Sequence, residues 1–392
     1  MKNTEEIINR GVENVYPSRE FLKAALESGK KLRIYNGIDP TGPTLHLGHS
    51  VVLRKLRDFQ NLGHEIILLI GDFTGMIGDP TDKTATRVQL TREQVLANCK
   101  NYQRQAGKIL DFEGKNSAKL LFNSEWLAKL TFKEVLELSA YFTVQQMLER
   151  DMFAERVKAG KPVGLHEFLY PLMQGYDSVA MDVDMEIGGN DQTFNMLAGR
   201  DLMKAMKSKE KIVLTTKLLV DPTGKKMGKT EGNMITLDDA PNDIFGKVMS
   251  WPDELMERGF EILTKSSMAE IASEIKANPR DMKVRLAREV VAELCGAEEG
   301  DKAEQYFVNT FSKKEVPENI PEIKVDGSEI KLTEFLVLSK TAESLGEARR
   351  KIEQGGVERN GEKIADWKTV LTTKDSSAVL KVGKKDFVRI VF

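Results

Sequence analysis

The chain has 392 residues, 41% of them hydrophobic and 30% charged, with a formal charge of −2. That balance fits a soluble globular protein, and the length exceeds what one small core can fill, so two or three domains are expected. Cys99 and Cys295 form no CxxC pair and no disulfide framework, the N-terminus holds no signal-like apolar stretch, and the longest apolar run, Ile66–Ile70, is far too short to cross a membrane. A cytoplasmic protein with no membrane partner is therefore expected. Residues 331–392 carry 13 Lys/Arg against 9 Asp/Glu. This modestly basic tail on a mildly acidic body is compatible with a nucleic-acid partner.

In chain order, KLRIYNGIDP reads as a strand over Leu32–Tyr35 that ends at Gly37 and Pro40. LHLGHSVVLRKLRDFQNLG reads as a helix, with Leu45, Leu53, Leu56 and Phe59 on one face and Gly63 as its stop. Ile66–Ile70 reads as a strand covered on both faces, as a parallel sheet demands. Strand, helix and strand make a βαβ unit, whose ligands bind at the carboxyl ends of the strands. Ile38–His49 and Gly71–Arg87 fall at that edge. Thr91–Ala159 reads as mainly helical, Val163–Gln174 as a helix, Met185–Ile187 as a short strand and Asp191–Ala205 as a helix. Ala240–Thr310 is helical again. A linker with Pro317 and Pro321 follows, and then two short helices, a glycine turn and strand-like ends. The fold class expected is α/β: a Rossmann-like parallel-sheet domain at 1–238 with a helical insertion at about 120–160, an α-helical domain at 239–312, a linker at 313–330 and a small α+β domain at 331–392.

His46 and His49 are three apart, so at a helix start they share a face, and Gly48 between them lets a ligand approach the backbone. Unpaired N–H groups there favour phosphate, to which the imidazoles could also donate. A capping pair is the plain alternative; a metal site lacks a nearby third ligand. DPTGKKMGKT at Asp221–Thr230 is not a P-loop, because Thr223 stands where the first glycine is required. It keeps Lys225, Lys226 and Lys229 in a turn, with the Thr230 hydroxyl beside them. GDFTGMIGDPTDKTATR could carry Lys83 and Arg87 over a pyrophosphate while Asp79 faces a cation, or be an ordinary polar loop. Tyr170, Gln174 and Asp177 lie along one side of a helix and suit a small zwitterionic or hydroxylated ligand. Gly188–Gln192 gives a tight turn with polar side chains entering a helix.

Together these segments resemble the class I aminoacyl-tRNA synthetases, and within them the bacterial tyrosyl-tRNA synthetase family, over the whole chain. HLGH matches the first signature of the class and KMGKT the second. YNGIDPTGPTLHLGH, GDFTGMIGDP, YPLMQGYD and GGNDQ fit the tyrosine-specific enzymes in order, and the tail resembles their S4 RNA-binding domain. The chain departs in having Leu47 for isoleucine in the first signature and Gly228-Lys229-Thr230 for Ser-Lys-Ser in the second. Tryptophan-specific relatives share both signatures, so ligand choice rests on Tyr35, Tyr170, Gln174 and Asp177.

The resemblance implies a tyrosine–tRNA ligase acting through enzyme-bound tyrosyl-adenylate, with ATP, L-tyrosine and tRNA(Tyr) as substrates. His46, His49, Lys226, Lys229 and Thr230 would serve the phosphates, joined by Lys83, Arg87 and Thr41. Gly37 and Gly48 would border ATP, and Asp191 would take its ribose. Tyr170, Gln174 and Asp79 would hold the substrate ammonium, Gln192 and Asp39 the reacting carboxylate region, and Tyr35 and Asp177 the phenol hydroxyl. Mg²⁺ would travel with ATP, carried mostly by phosphates and water, with no tightly bound protein metal. A pocket that bonds the phenol hydroxyl rejects phenylalanine without editing, and the chain has no room for an editing domain between the signatures. Phe132, Leu136, Leu138, Phe142, Met147 and Phe153 in the insertion exceed what one helical stripe hides, which together with the resemblance leads to an expected homodimer.

Overall fold

The computed structural model describes residues 4–79, 90–220, 234–312, 320–383 and 386–392. It divides into two compact units, Met1–Gly300 and Asp301–Phe392.

The first unit is built on a six-stranded sheet of β1 (Val12–Tyr16), β2 (Arg33–Ile38), β3 (Glu65–Ile70), β4 (Lys119–Phe122), β5 (Met185–Gly189) and β6 (Ile212–Thr216), in the order β1-β6-β5-β2-β3-β4. All neighbours run parallel except β1, which pairs antiparallel with β6. The middle strands are apolar nearly throughout: five of the six residues of β3 are buried, as expected of a sheet with helices on both faces. From β2 the chain proceeds to β3 and β4 on one side, then returns to β5 on the other flank of β2. The connections therefore diverge between β2 and β5, and a crevice opens at their carboxyl ends.

Helix α1 (Leu47–Asn61) joins β2 to β3 and buries Leu53, Leu56 and Phe59 completely. Helix α2 (Leu165–Met181) packs against α3 (Thr193–Lys207) where Gly175 meets Gly199. A Cβ on Gly175 would lie 3.2 Å from the Gly199 nitrogen, so bulkier residues would force the helices apart.

The expected βαβ unit and the helices at 165–181 and 193–207 are present; the first of these helices runs further than the sequence indicated, and the second keeps its length but starts later. Three further strands, β1, β4 and β6, go beyond the expectation. β4 lies inside the stretch read as mainly helical, because a four-residue edge strand is set by its register with β3, Ile67 opposite Lys119 through Ile70 opposite Phe122, and not by local pattern. β1 and β6 likewise escaped the sequence. Whereas residues 301–312 fall in the second unit, the helices from Pro241 to Cys295, expected in a separate domain at 239–312, belong to the same compact unit as the sheet. Arg10 ties them in, donating to the carbonyls of Glu261, Phe260 and Thr264 at 2.9, 2.9 and 3.0 Å, and Arg54 pairs with Glu293.

The second unit has a five-stranded sheet, β10-β9-β12-β13-β7, and a two-stranded one, β11-β8. The strands are β7 (Glu322–Lys324), β8 (Glu329–Lys331), β9 (Val357–Arg359), β10 (Glu362–Lys363), β11 (Val370–Thr372), β12 (Val379–Val382) and β13 (Asp386–Val391). Helices Leu332–Leu338 and Leu345–Glu353 supply Phe335, Leu336, Ala348 and Ile352 to its core. The linker read at 313–330 therefore ends earlier: β7 pairs in parallel with β13, and Val325 enters the core. Among the described residues, no helix is long and apolar enough to cross a membrane.

Candidate active site

A cleft of about 330 Å³ opens at the carboxyl ends of β2, β3 and β5. Gly37, Asp39 and Thr41 reach it from the exit of β2, His46, Gly48 and His49 from the start of α1, and Tyr170, Gln174 and Asp177 from α2. Asp79 and, after β5, Asp191 and Gln192 complete the predicted set that lines it. Lys83, Arg87, Lys226, Lys229 and Thr230 lie outside the described residues.

At one end of the cleft, the histidines cap α1. The Gly48 N–H donates to His46 Nδ1 at 3.1 Å, and the His46 N–H donates to His49 Nδ1 at 3.1 Å. In a neutral imidazole whose Nδ1 accepts, the proton sits on Nε2, so both rings are fixed as Nε2–H donors. The two rings lie 4.0 Å apart, and a Cβ on residue 48 would meet His46 Cε1 at 2.8 Å, so only glycine leaves this cap intact. Capping and ligand binding are thus compatible: one nitrogen of each ring does each job.

Two further contacts hold the histidine loop. Leu47 N–H donates to the Ile235 carbonyl at 3.0 Å and Leu237 N–H to the Leu45 carbonyl at 2.8 Å, so the chain just after the second signature is laced to the entry of the first. From the other side, Tyr102 Oη donates to the Gly42 carbonyl at 2.6 Å, and Gln105 Oε1 accepts from the Leu45 N–H at 2.8 Å.

The opposite end is acidic and buried. Asp39 accepts from the Thr74 hydroxyl at 2.7 Å and from the Tyr170 hydroxyl at 2.8 Å. Asp79 accepts from Arg150 Nη2 at 3.0 Å and Gln192 Nε2 at 2.8 Å. Asp177 accepts from Trp126 Nε1 at 2.7 Å and Asn123 Nδ2 at 3.2 Å, yet burial pushes its carboxyl well above the usual carboxylate range. Burial, with Asp39 and Asp79 nearby, likewise raises the Tyr170 phenol.

Tyr35 is placed differently from the expectation. Its side chain is fully buried and does not line the cleft; its hydroxyl lies 2.9 Å from Ser178 Oγ. The structure brings Asp177 to the cleft and keeps the Tyr35 hydroxyl behind it, because Tyr35 sits on β2 beneath α2.

A switch-point crevice with a histidine-capped helix at one end and a polar, buried amino-acid-sized pocket at the other defines a nucleotide-binding enzyme of the Rossmann-like class I type. Comparison with known proteins narrows this. Residues 27–312 match the family of tRNA synthetases class I (W and Y), and residues 313–390 match the tyrosine–tRNA ligase SYY-like C-terminal domain. The chain is 47% identical over 408 residues to a tyrosine–tRNA ligase of Carboxydothermus hydrogenoformans, covering 100% of this chain and 98% of that one. It is 47% identical over 390 residues to that of Haemophilus ducreyi, covering 98% and 96%. A C-terminally truncated mitochondrial tyrosyl-tRNA synthetase of Coccidioides posadasii superposes with a TM-score of 0.63 at 27% identity, covering 77% of this chain and 90% of that one. The chain belongs to the tyrosine–tRNA ligase family of class I tRNA synthetases.

Sequence reasoning missed the groups that hold this cleft in shape: Thr74, Asn123, Trp126, Arg150, Ser178, Glu186 and Lys211. One signal was visible. Glu186 is a carboxylate inside the apolar strand MEIGG, where a buried charge requires a partner. That partner, Lys211, lies far along the chain, and spacing cannot reveal it.

Proposed function

We propose that the cleft activates L-tyrosine with ATP and that the aminoacyl group then passes to the terminal adenosine of tRNA(Tyr). The chain is an ATP-dependent tyrosine–tRNA ligase. The tyrosine carboxylate attacks the α-phosphorus, forming tyrosyl-adenylate and releasing pyrophosphate. The carboxylate is already ionised, so positioning and charge stabilisation carry the catalysis and no general base is needed. The tRNA hydroxyl then takes the tyrosine as an ester, and AMP leaves.

His46 and His49 donate from Nε2 to the phosphates, with Thr41 beside them and Lys226, Lys229, Thr230, Lys83 and Arg87 as the cations and hydroxyl brought by the other motifs. Asp191 takes the ribose, with Gly37 and Gly48 leaving room for the nucleotide. Asp79, Tyr170 and Gln174 receive the tyrosine ammonium, while Asp39 and Gln192 flank the reacting carboxylate. Asp177 receives the phenol hydroxyl, with Tyr35 in support through Ser178. Mg²⁺ arrives with ATP as part of the substrate and neutralises phosphate charge. A cytoplasmic location is part of the proposal, supported by the free thiols of Cys99 and Cys295.

The observation that carries the proposal is the continuity of one cleft from the two Nε2–H donors to the buried Asp177. ATP–pyrophosphate exchange tests it: tyrosine should stimulate exchange, and tryptophan and phenylalanine at equal concentration should not. Equal stimulation by tryptophan would contradict the substrate assignment and leave the class intact.

A homodimer is part of the proposal. Of the insertion residues expected to pair, Leu138, Met147 and Phe153 are buried within this chain, but Phe132 is 78% exposed, and Leu136, Tyr141, Val144 and Val157 are exposed with it. Exposed apolar side chains concentrated in one stretch suit a partner of the same kind.

A further inference from the structure

In the wall of the cleft, which Glu186 lines and Lys211 does not, lies a buried charge pair for which the proposed reaction has no use. Glu186 on β5 is 2% exposed, and Lys211, at the entry to β6, is fully buried. Lys211 Nζ commits all three of its N–H groups: to Glu186 Oε2, to Ser178 Oγ at 2.8 Å and to the Met196 carbonyl at 3.1 Å. The space is made by Gly199, where a Cβ would lie 2.5 Å from Lys211 Nζ. Apolar residues of similar volume would serve packing as well as a buried ion pair or better, so stability alone does not account for it.

The other oxygen of Glu186 suggests what does. Oε1 accepts from Gln174 Nε2 at 3.0 Å. A carboxylate ion can only accept, whereas an amide presents donors at one end and an acceptor at the other, so Glu186 dictates which end of Gln174 turns away from the ligand. With Nε2 committed, the carbonyl is left for the cleft that Gln174 lines. An ammonium needs that carbonyl and would be repelled by the amide N–H groups. Asp79 already shares its carboxylate with Arg150 and Gln192, and Tyr170 donates its proton to Asp39. Gln174 is thus the group whose ability to accept depends on an orientation that a flip would reverse.

We propose that Glu186 is a positioning residue for amino-acid recognition: it locks the Gln174 amide with its carbonyl toward the substrate ammonium, and Lys211 supplies the counter-charge that Glu186 needs at that buried position. This rests on the reading of the cleft as the tyrosine site.

The test is ATP–pyrophosphate exchange by the full chain carrying Glu186→Met and Lys211→Met together, which removes the acceptor that Gln174 uses and both charges, leaving neither charge unpaired. The KM for tyrosine should rise about tenfold, the scale of one hydrogen bond to a charged group, with kcat and the KM for ATP within about twofold of wild type. In a Gln174→Ala background, the same pair of changes should add no further rise, because the effect passes through Gln174. Inhibition by 3-(4-hydroxyphenyl)propionate, which is tyrosine without its ammonium, should be equal in wild type and double variant; a general distortion of the pocket would weaken it. Should the double variant not fold, Glu186→Asp keeps the charge, withdraws the acceptor from Gln174 and carries the same expectation. A wild-type tyrosine KM in the variant, an equal rise in the Gln174→Ala background, or a parallel loss of the propionate would overturn the proposal. Absence of tyrosine-dependent exchange in the wild-type protein would overturn the reading of the site instead.

Discussion

Asp177 receives an indole N–H and an amide N–H on its two oxygens, while Tyr35, the other residue expected at the phenol, turns its hydroxyl to Ser178. These positions predict a ranking. Asp177→Asn should relax discrimination between tyrosine and phenylalanine most, by about ten- to a hundredfold, the scale of a hydrogen bond to a charged or buried group. Trp126→Phe, which removes one donor from Asp177, should cost less. Tyr35→Phe should cost least in selectivity and appear chiefly as lost stability of about 1 kcal/mol, measured by thermal unfolding. The kcat/KM ratio for the two amino acids decides it, and a largest loss in Tyr35→Phe would mean that Tyr35 meets the ligand directly. At this scale the sequence was legible wherever residues of one site lie within a helical turn or two, as in His46 with His49 or Tyr170 with Gln174 and Asp177. It was silent on Trp126, Arg150 and Lys211, which hold the cleft-lining Asp177, Asp79 and Glu186 through tertiary contact alone.

Residues 234–239, which follow the second signature, are anchored by Asp238. It takes both guanidinium nitrogens of Arg104 at 2.9 and 2.7 Å and Gln105 Nε2 at 2.6 Å, while the adjacent Leu237 bonds back to Leu45. The hydrogen bond from Arg104 holds the Asp238 carboxyl below the usual range. A carboxyl lowered in the folded state contributes stability above its unfolded value, and that contribution is lost as pH falls through the lowered one. Asp238→Asn should therefore remove part of the acid sensitivity of folding below the ordinary carboxylate range. It should also lower the rate of adenylate formation with little change in tyrosine affinity, because it loosens the lacing between the two signatures. An unchanged rate would show that the anchor is structural only. Elements were read correctly from the sequence where apolar pattern and length agreed, as in β2, α1 and β3. The short β4 and the flanking β1 and β6 were not, because pairing partners define them more than local pattern does.

The exposed insertion predicts a dimer by analytical ultracentrifugation at micromolar concentration, and a monomeric mass would refute it. In the C-terminal unit, the cations Arg349, Arg350 and Lys351 share the helix Leu345–Glu353, but Arg349 stacks on Trp367 and pairs with Glu353 at 2.8 Å, and Lys351 pairs with Glu347 at 2.8 Å. The basic face is more self-compensated than a count of charges implies. Because β7 and β8 belong to the sheets of this unit, a deletion that takes both sheets whole begins at residue 320. Removing 320–392 should spare adenylate formation and weaken transfer to tRNA, and the difference in tRNA affinity between the two forms should shrink as salt rises. Equal aminoacylation at limiting tRNA with equal affinity at low salt would show the unit to be dispensable for recognition.

The two ends of the one cleft do different work. The most direct test is single-turnover formation of tyrosyl-adenylate, with tyrosine Kd measured separately, in His49→Ala and Asp177→Asn. His49→Ala should lower the rate by about 10²–10³-fold and leave tyrosine Kd near wild type, as loss of a donor to charge that grows in the transition state does. Asp177→Asn should show the opposite split, with Kd raised and the rate at saturation far less changed. A raised Kd with an unchanged rate in His49→Ala would contradict the account.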